Sequence, residues 1–232
     1  PHVLLALGPS RHSTWRRGKK HGRGEYSYAA SGDVYDGEWK NNKRHGRGVF
    51  SWASGARYDG QWFNGERSGR GVFHFPSGDR YDGEWANGKM SGTGTFFYAN
   101  GDRYDGEVRG GRLHGRGVMC YATGDRYDGE WFEDHRHGSG KFYYASGDRY
   151  EGEWEHGKRN GSGTYIFSKG DRCDGTYKND EKHNGTFYYA NGEKYIGDFR
   201  DNKKHGRGAL YLLNGDRYEG DFECDLKHGR GV

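Results

Sequence analysis

Seven histidines of this 232-residue chain hold one recurring place, just before a glycine or its substitute: His21, His45, His114, His137, His183, His205 and His228. Imidazole at regular spacing is a metal-ligand pattern, but zinc needs its ligands within about 2.0–2.3 Å. Successive places here lie two strands, or about 10 Å, apart. Turn structure is therefore the expected role, with no metal and no cofactor along the regular array. An irregular stretch differs: Cys173, Glu181 and His183 could be completed to a zinc site by a second copy of the chain. Asp36 and Glu38, with equivalents in each unit, imitate an acid–base pair. Projecting repeatedly from one strand face, they are expected to pair with neighbouring arginines. Gly83 to Lys89 (GEWANGK) and Gly152 to Lys158 (GEWEHGK) copy phosphate-loop spacing. Met90 and Arg159 stand where Ser or Thr is needed, and no helical pattern follows, so no catalytic residue is expected.

Binding chemistry is better represented. Trp39, Trp62, Trp85, Trp131 and Trp154 lie in register, with Phe50, Phe73, Phe96 and Phe142 on the facing strands. In a single-layer sheet such rings are expected to stay partly exposed along a groove that takes an extended or helical protein segment. Basic residues gather at one set of hairpin turns: Lys43, Arg44, Arg67, Arg112, Lys158, Arg159, Lys203 and Lys204. Such an edge would attract anionic phospholipids, phosphoinositides included, at about 1 kcal/mol per residue near the surface. With 37 Lys and Arg against 33 Asp and Glu, the net charge of +4 is too small for an obligate nucleic-acid binder. The rings needed for folding leave few for base stacking, and no nucleic-acid partner is expected.

What positions these residues is a 23-residue repeat. Its tyrosine recurs at Tyr35, Tyr58, Tyr81, Tyr104, Tyr127 and Tyr150, then as Cys173, Tyr195 and Tyr218. A fixed period in this range marks an array whose units bury their apolar faces only against their neighbours. In the unit Gly78 to Asn100, RYDGEW and GTGTFFY read as strands separated by a polar turn. Alternation puts Tyr81, Gly83 and Trp85 on one face and Arg80, Asp82 and Glu84 on the other. Gly92, Gly94, Phe96 and Tyr98 share a face of the second strand. Large-against-small pairing predicts Trp85 opposite Gly94, Gly83 opposite Phe96 and Tyr81 opposite Tyr98, then Tyr98 opposite Tyr104 across the next turn. Asn100-Gly101, Ser77-Gly78 and Thr123-Gly124 supply the positive-φ positions of short hairpin connections. The predicted fold is all-β, an elongated single-layer antiparallel β-meander of tandem hairpins, about 85 to 90 Å long. Hydrophobic residues make up 31% of the chain, aromatics 16%, and 44 residues are glycine, so rings rather than aliphatics must build the core.

Residues 1–10 match no repeat and read as a processing remnant or an added segment. The array covers 11–232: a partial unit with Arg11 in the tyrosine place, then nine units, the last incomplete. An incomplete edge invites pairing with a second copy, so a homodimer through the C-terminal repeats is expected. Val108 replaces the tryptophan of its unit; near Cys173 the tyrosine is lost, Tyr177 replaces tryptophan, and Asn184-Gly185 reflects a one-residue deletion. A bend or partner site is expected from Cys173 to Gly185. Cys120, Cys173 and Cys224 form neither a disulfide framework nor a CxxC pair, which suits a reducing cytoplasm. No apolar run reaches the ~18 residues of a membrane span.

The pattern Tyr-x-Gly-x-Trp-x-x-Gly-x-x-x-Gly-x-Gly, carried by Tyr81, Gly83, Trp85, Gly88, Gly92 and Gly94 and recurring over 11–232, resembles the MORN repeat (membrane occupation and recognition nexus). The resemblance implies twisted hairpin arrays with a groove on one face, and scaffold or adaptor roles at membranes, cytoskeletal collars and ciliary structures. It is similar to the repeat-only cytoskeletal scaffolds of protozoan parasites, whose arrays dimerise end to end. The expected function is thus a non-catalytic scaffold that self-associates and holds a cytoskeletal or membrane-associated protein along its aromatic groove. It would be cytoplasmic, on the cytoskeleton or peripheral at a membrane. The alternative is a peripheral module reading anionic lipid through the basic edge.

Overall fold

The computed structural model describes residues 14–232; the opening segment 1–10 and Arg11 lie outside them. All regular elements among the described residues are β-strands. The described residues divide into two compact units, the first ending at Arg112 and the second beginning at Leu113. In the first, β1 (Trp15–Arg16) and β2 (Lys19–Lys20) form a small pair. Then follow β3 (Gly22–Tyr28), β4 (Asp33–Lys40), β5 (Lys43–Ser51), β6 (Arg57–Phe63), β7 (Glu66–His74), β8 (Arg80–Ala86), β9 (Lys89–Phe97) and β10 (Arg103–Arg109). The second unit takes up β11 (Arg112–Cys120), β12 (Arg126–Phe132), β13 (His135–Tyr143), β14 (Arg149–Glu155), β15 (Lys158–Ile166) and β16 (Arg172–Lys178). It ends with β17 (Glu181–Tyr188), β18 (Lys194–Arg200), β19 (Lys203–Tyr211), β20 (Arg217–Glu223) and β21 (Leu226–Gly231). Within each unit the larger sheet is an open single-layer meander in which every strand pairs antiparallel with its neighbours in sequence.

Two turn types alternate. Inside each repeat a two-residue turn has both residues at positive φ, as at Asn64 (52°) and Gly65 (96°) or Asn87 (49°) and Gly88 (75°). This is the type I′ geometry whose twist suits a hairpin. Between repeats a three-residue turn closes with Tyr98 N–H donating to Asp102 O and Gly101 N–H to Tyr98 O. An aspartate from the preceding turn steadies it: Asp79 accepts from Ala99 N–H at 2.7 Å, and Asp148 from Ser168 N–H at 2.8 Å.

The register differs by two residues from the large-against-small expectation. Tyr81 lies opposite Phe96 and Gly83 opposite Gly94; a β-bulge then intervenes, and Trp85 lies opposite Met90. Across the next turn Tyr104 faces Phe96, not Tyr98. The short turns set this register, and the bulge absorbs two extra residues on the second strand, one of them a glycine in the left-handed region such as Gly69 (φ 64°). The small-against-large principle survives along a different direction. Each tyrosine folds back over the glycine pair two positions on, so a Cβ added at Gly83 would sit 2.3 Å from the Tyr81 hydroxyl, and one at Gly94 2.5 Å from its ring. Tyrosine hydroxyls then donate to the backbone across the bulge, as Tyr58 does to Gln61 O at 3.0 Å. Each tryptophan reaches over the preceding strand, with Trp62 Nε1–H donating to Gly48 O at 2.9 Å.

These tyrosines are fully buried, and loss of hydration raises their pKa, to about 12 at Tyr81, Tyr150 and Tyr195. A folded value above the free phenol value of 10.0 means stabilisation that is complete below pH 10 and lost as pH rises toward 12. Urea midpoints followed by tryptophan fluorescence are expected to hold steady below pH 10.0 and then fall steeply. A midpoint that stays level to about pH 12 would contradict buried neutral phenols.

Candidate functional site

Two faces result from strand alternation. On the aromatic face the innermost row is closed rather than open: Trp39, Trp62, Trp85, Trp131, Trp154, Phe50, Phe96 and Phe142 are 4–8% exposed, and only Phe73 of the expected groove rings is half-buried. The expectation of exposed tryptophans is corrected by what covers them. Arg44 stacks on Trp62 at 4.4 Å, Arg67 on Trp85 at 4.3 Å and Arg136 on Trp154 at 4.4 Å. Each guanidinium also donates to the next two-residue turn, Arg44 to Gly65 O at 2.8 Å, Arg67 to Gly88 O at 2.7 Å and Arg136 to Gly157 O at 2.6 Å. A cation locked between a ring and a carbonyl 21 residues on is part of the core.

The rings left half-exposed form a second row that the sequence reading did not single out. Trp52 packs on Phe50 (4.4 Å) and Phe73 (5.5 Å), and Phe75 on Phe73 (4.6 Å). In the second unit Tyr144 touches Phe142 (4.5 Å) and Tyr165 (5.7 Å), Phe167 touches Tyr165 (4.6 Å) and Phe187 (5.7 Å), and Tyr189 touches Phe187 (4.7 Å). The result is a zigzag ladder of rings along each unit. Its signal was the apolar or aromatic residue two positions after the last inward apolar residue of each repeat's second strand, just before the three-residue turn.

The basic turn residues separate. Arg44, Arg67 and Arg159 belong to the ring-capping set, and Lys204 joins them through its 3.1 Å bond to the Tyr189 hydroxyl. Lys43, Arg112, Lys158 and Lys203 are exposed beside the two-residue turns.

Carboxylates of the charged face divide as well. Asp59, Asp105 and Asp128 pair with Arg57, Arg103 and Arg126 two residues back, at 2.9, 2.9 and 2.6 Å. Asp36 has the same sort of partner in Arg23, at 4.0 Å. Glu38 does otherwise: it accepts from the Arg47 backbone N–H at 2.8 Å, and Glu153 likewise from Ser162 at 3.0 Å. Gln61 fills this place with its amide oxygen, 2.9 Å from Arg70 N–H, so the role is bulge closure and needs no charge. Gly88 and Gly157, from the two phosphate-loop look-alikes, are turn residues of hairpins.

Histidines lie on the charged face against exposed rings, His45 on Phe63 at 5.3 Å and His114 on Phe132 at 5.3 Å. Among the described residues no three His, Cys, Asp or Glu side chains gather as metal ligands. The structure does not bring Cys173 together with Glu181 and His183. Cys173 is fully buried on the aromatic face beside Tyr177 and Lys182, while Glu181 and His183 are exposed on either side of Lys182, which alternation turns to the other face. Burial pushes the Cys173 thiol and Tyr177 phenol up and Lys182 down. No helix among the described residues is long and apolar enough to cross a membrane.

The family model described as MORN repeat matches residues 12–32, 35–57, 58–80, 81–103, 104–126, 127–149, 150–172, 173–194, 195–217 and 218–232. A search of curated proteins returned no match. Among solved structures, the wild-type TCP10 domain of Danio rerio CPAP is similar at 10% identity, covering 82% of this chain and 89% of that one, with a TM-score of 0.46. The SAS-4 (dCPAP) TCP domain of Drosophila melanogaster, in complex with a proline-rich motif of Ana2 (dSTIL), matches at 18% identity, covering 67% and 85%, with a TM-score of 0.42.

Proposed function

Because this chain belongs to the MORN-repeat family, we propose that it is a non-catalytic scaffold whose aromatic face holds a segment of another protein, within a cytoskeletal or membrane-proximal assembly. The observation that carries this reading is the half-exposed ladder of Trp52, Phe73 and Phe75 in the first unit and Tyr144, Phe167 and Tyr189 in the second. Rings already held by their neighbours lose little freedom on binding, and they offer apolar surface at intervals that an extended segment can meet. The buried tryptophans then act as the floor of the groove. Self-association through the C-terminal repeats belongs to the same reading, and light scattering on the purified chain tests it: a mass of one chain would remove it.

The groove is tested with peptides selected from a random display library on the intact chain. Replacing Trp52 and Phe75 by serine is expected to weaken first-unit binders by about tenfold or more, with the circular dichroism spectrum unchanged. Peptides that bind the double variant as tightly would sink the aromatic-face reading.

A lipid reading keeps a narrower basis, the exposed Lys43, Arg112, Lys158 and Lys203. Alanine at all four is expected to abolish binding to phosphoinositide-containing vesicles, and added salt to weaken it steeply, if the alternative holds. Groove binding would respond little to either change.

A further inference from the structure

The repeat at Cys173 lacks the ring that fills its neighbours. Over Gly163 and Gly208, an added Cβ would meet the Tyr150 or Tyr195 ring at 2.2–2.5 Å. At the equivalent Gly175 and Gly185 the nearest atoms are backbone alone, because Cys173 stands in the tyrosine place. Next to Cys173, on the aromatic face, lies a cavity of about 340 Å³.

Its polar lining is one-sided. Lys182, in the place of the ring-capping arginine, is 7% exposed, with Nζ 3.9 Å from the centre of the Phe199 ring and 4.9 Å from that of Phe187. Among the described residues no carboxylate lies within ion-pair distance of it; the thiol of Cys173 is its side-chain partner, and Asp225 acts only at longer range. Arg159, Tyr177 and Asn202 complete the polar wall, and no carboxylate faces the cavity. Arg159 is already paired, through Nε at 3.1 Å from Asp180 Oδ1. The remaining walls are the rings of Tyr165, Phe167 and Phe187. A buried ammonium held only by two ring faces and a neutral thiol keeps part of its desolvation cost, and a carboxylate brought within reach would offset that part.

We propose that this cavity receives one carboxylate-bearing side chain of the bound protein segment, with Lys182 and the Tyr177 hydroxyl holding the acid and the ring walls taking an apolar neighbour. The inference rests on the protein-binding reading of the aromatic face and adds where the segment is anchored and by what chemistry. It also gives the irregular repeat a role: loss of one tyrosine and of one bulge residue converts a filled position into a receptor.

The probe is 3-phenylpropionate, which joins a ring to one carboxylate, titrated into the intact chain and followed by NMR. Saturable binding near ~1 mM is expected, with shifts at Phe167 and Phe187. The uncharged 3-phenylpropionamide should bind about tenfold or more weakly, and Lys182→Gln should cost the acid a similar factor. Cys173→Tyr restores the ring of the regular repeats, so it should keep the sheet folded and eliminate binding. Equal affinity for acid and amide, retained binding in Cys173→Tyr, or no saturation by the acid overturns the proposal. So does inorganic phosphate that competes at equal concentration. If selected acidic peptides bind Cys173→Tyr unchanged yet still require the exposed rings, the anchor falls and the aromatic-face reading stands. If the rings do not matter either, both fall.

Discussion

Trp62→Ala is expected to destabilise the first unit by about 3–5 kcal/mol, the range for removing a large buried aromatic. The indole is 4% exposed and meets Tyr58 and Tyr35 edge-on at 5.1 and 5.5 Å. Its N–H donates to Gly48 O, and Arg44 stacks on its other side. Truncation therefore opens a cavity between two repeats, strands one carbonyl and leaves the guanidinium over empty space. In a repeat array each unit is held mainly by its neighbours, so the loss should spread to the hairpins on both sides. Urea unfolding measures the total, and amide hydrogen exchange shows whether β5 to β7 open together. Phe63→Ala is the contrast: that ring is 59% exposed, and its removal should cost about 0.5 kcal/mol or less. A Trp62→Ala value no larger than the Phe63→Ala value would mean the tryptophans are not the core.

The second large effect comes from adding one carbon. Gly140→Ala would place a Cβ 2.3 Å from the Tyr127 hydroxyl and 2.6 Å from its ring. The ring cannot swing aside, since it is fully buried between Trp131 at 5.2 Å and Trp154 at 5.3 Å, with its hydroxyl bound to Glu130 O at 3.0 Å. Overpacking of this kind costs about 1–3 kcal/mol, and a pinned ring argues for the upper end. Tyr127→Cys removes the ring, and in that background Gly140→Ala should cost less, a coupling of about 1–3 kcal/mol in a double-mutant cycle. Additive effects would show that the clash is relieved by backbone movement instead.

Much of the architecture is readable without coordinates because its causes are local. Side chains alternate every residue along a strand, so Tyr81, Gly83 and Trp85 had to share a face, and Arg80, Asp82 and Glu84 the other. Asn-Gly and Ser-Gly pairs had to turn, and a 23-residue recurrence of such hairpins had to stack on itself. The candidate site was less legible. Trp62 and Arg44 read as a groove ring and a lipid contact, yet each is the other's partner, from adjacent hairpins. Glu38 read as an ion-pair residue, yet its oxygen closes a bulge.

The period, the strands, the turn positions and the separation of an aromatic face from a charged one follow from the order of residues alone. Register, burial of the tryptophans and the pairing of Cys173 with Lys182 were decided only in three dimensions. A two-residue slip preserves every face, so alternation cannot distinguish one register from another; the turns and the bulge glycines choose between them. Whether a ring on the aromatic face is floor or rim depends on which side chain of the adjacent hairpin lies over it, and that is set by packing between repeats.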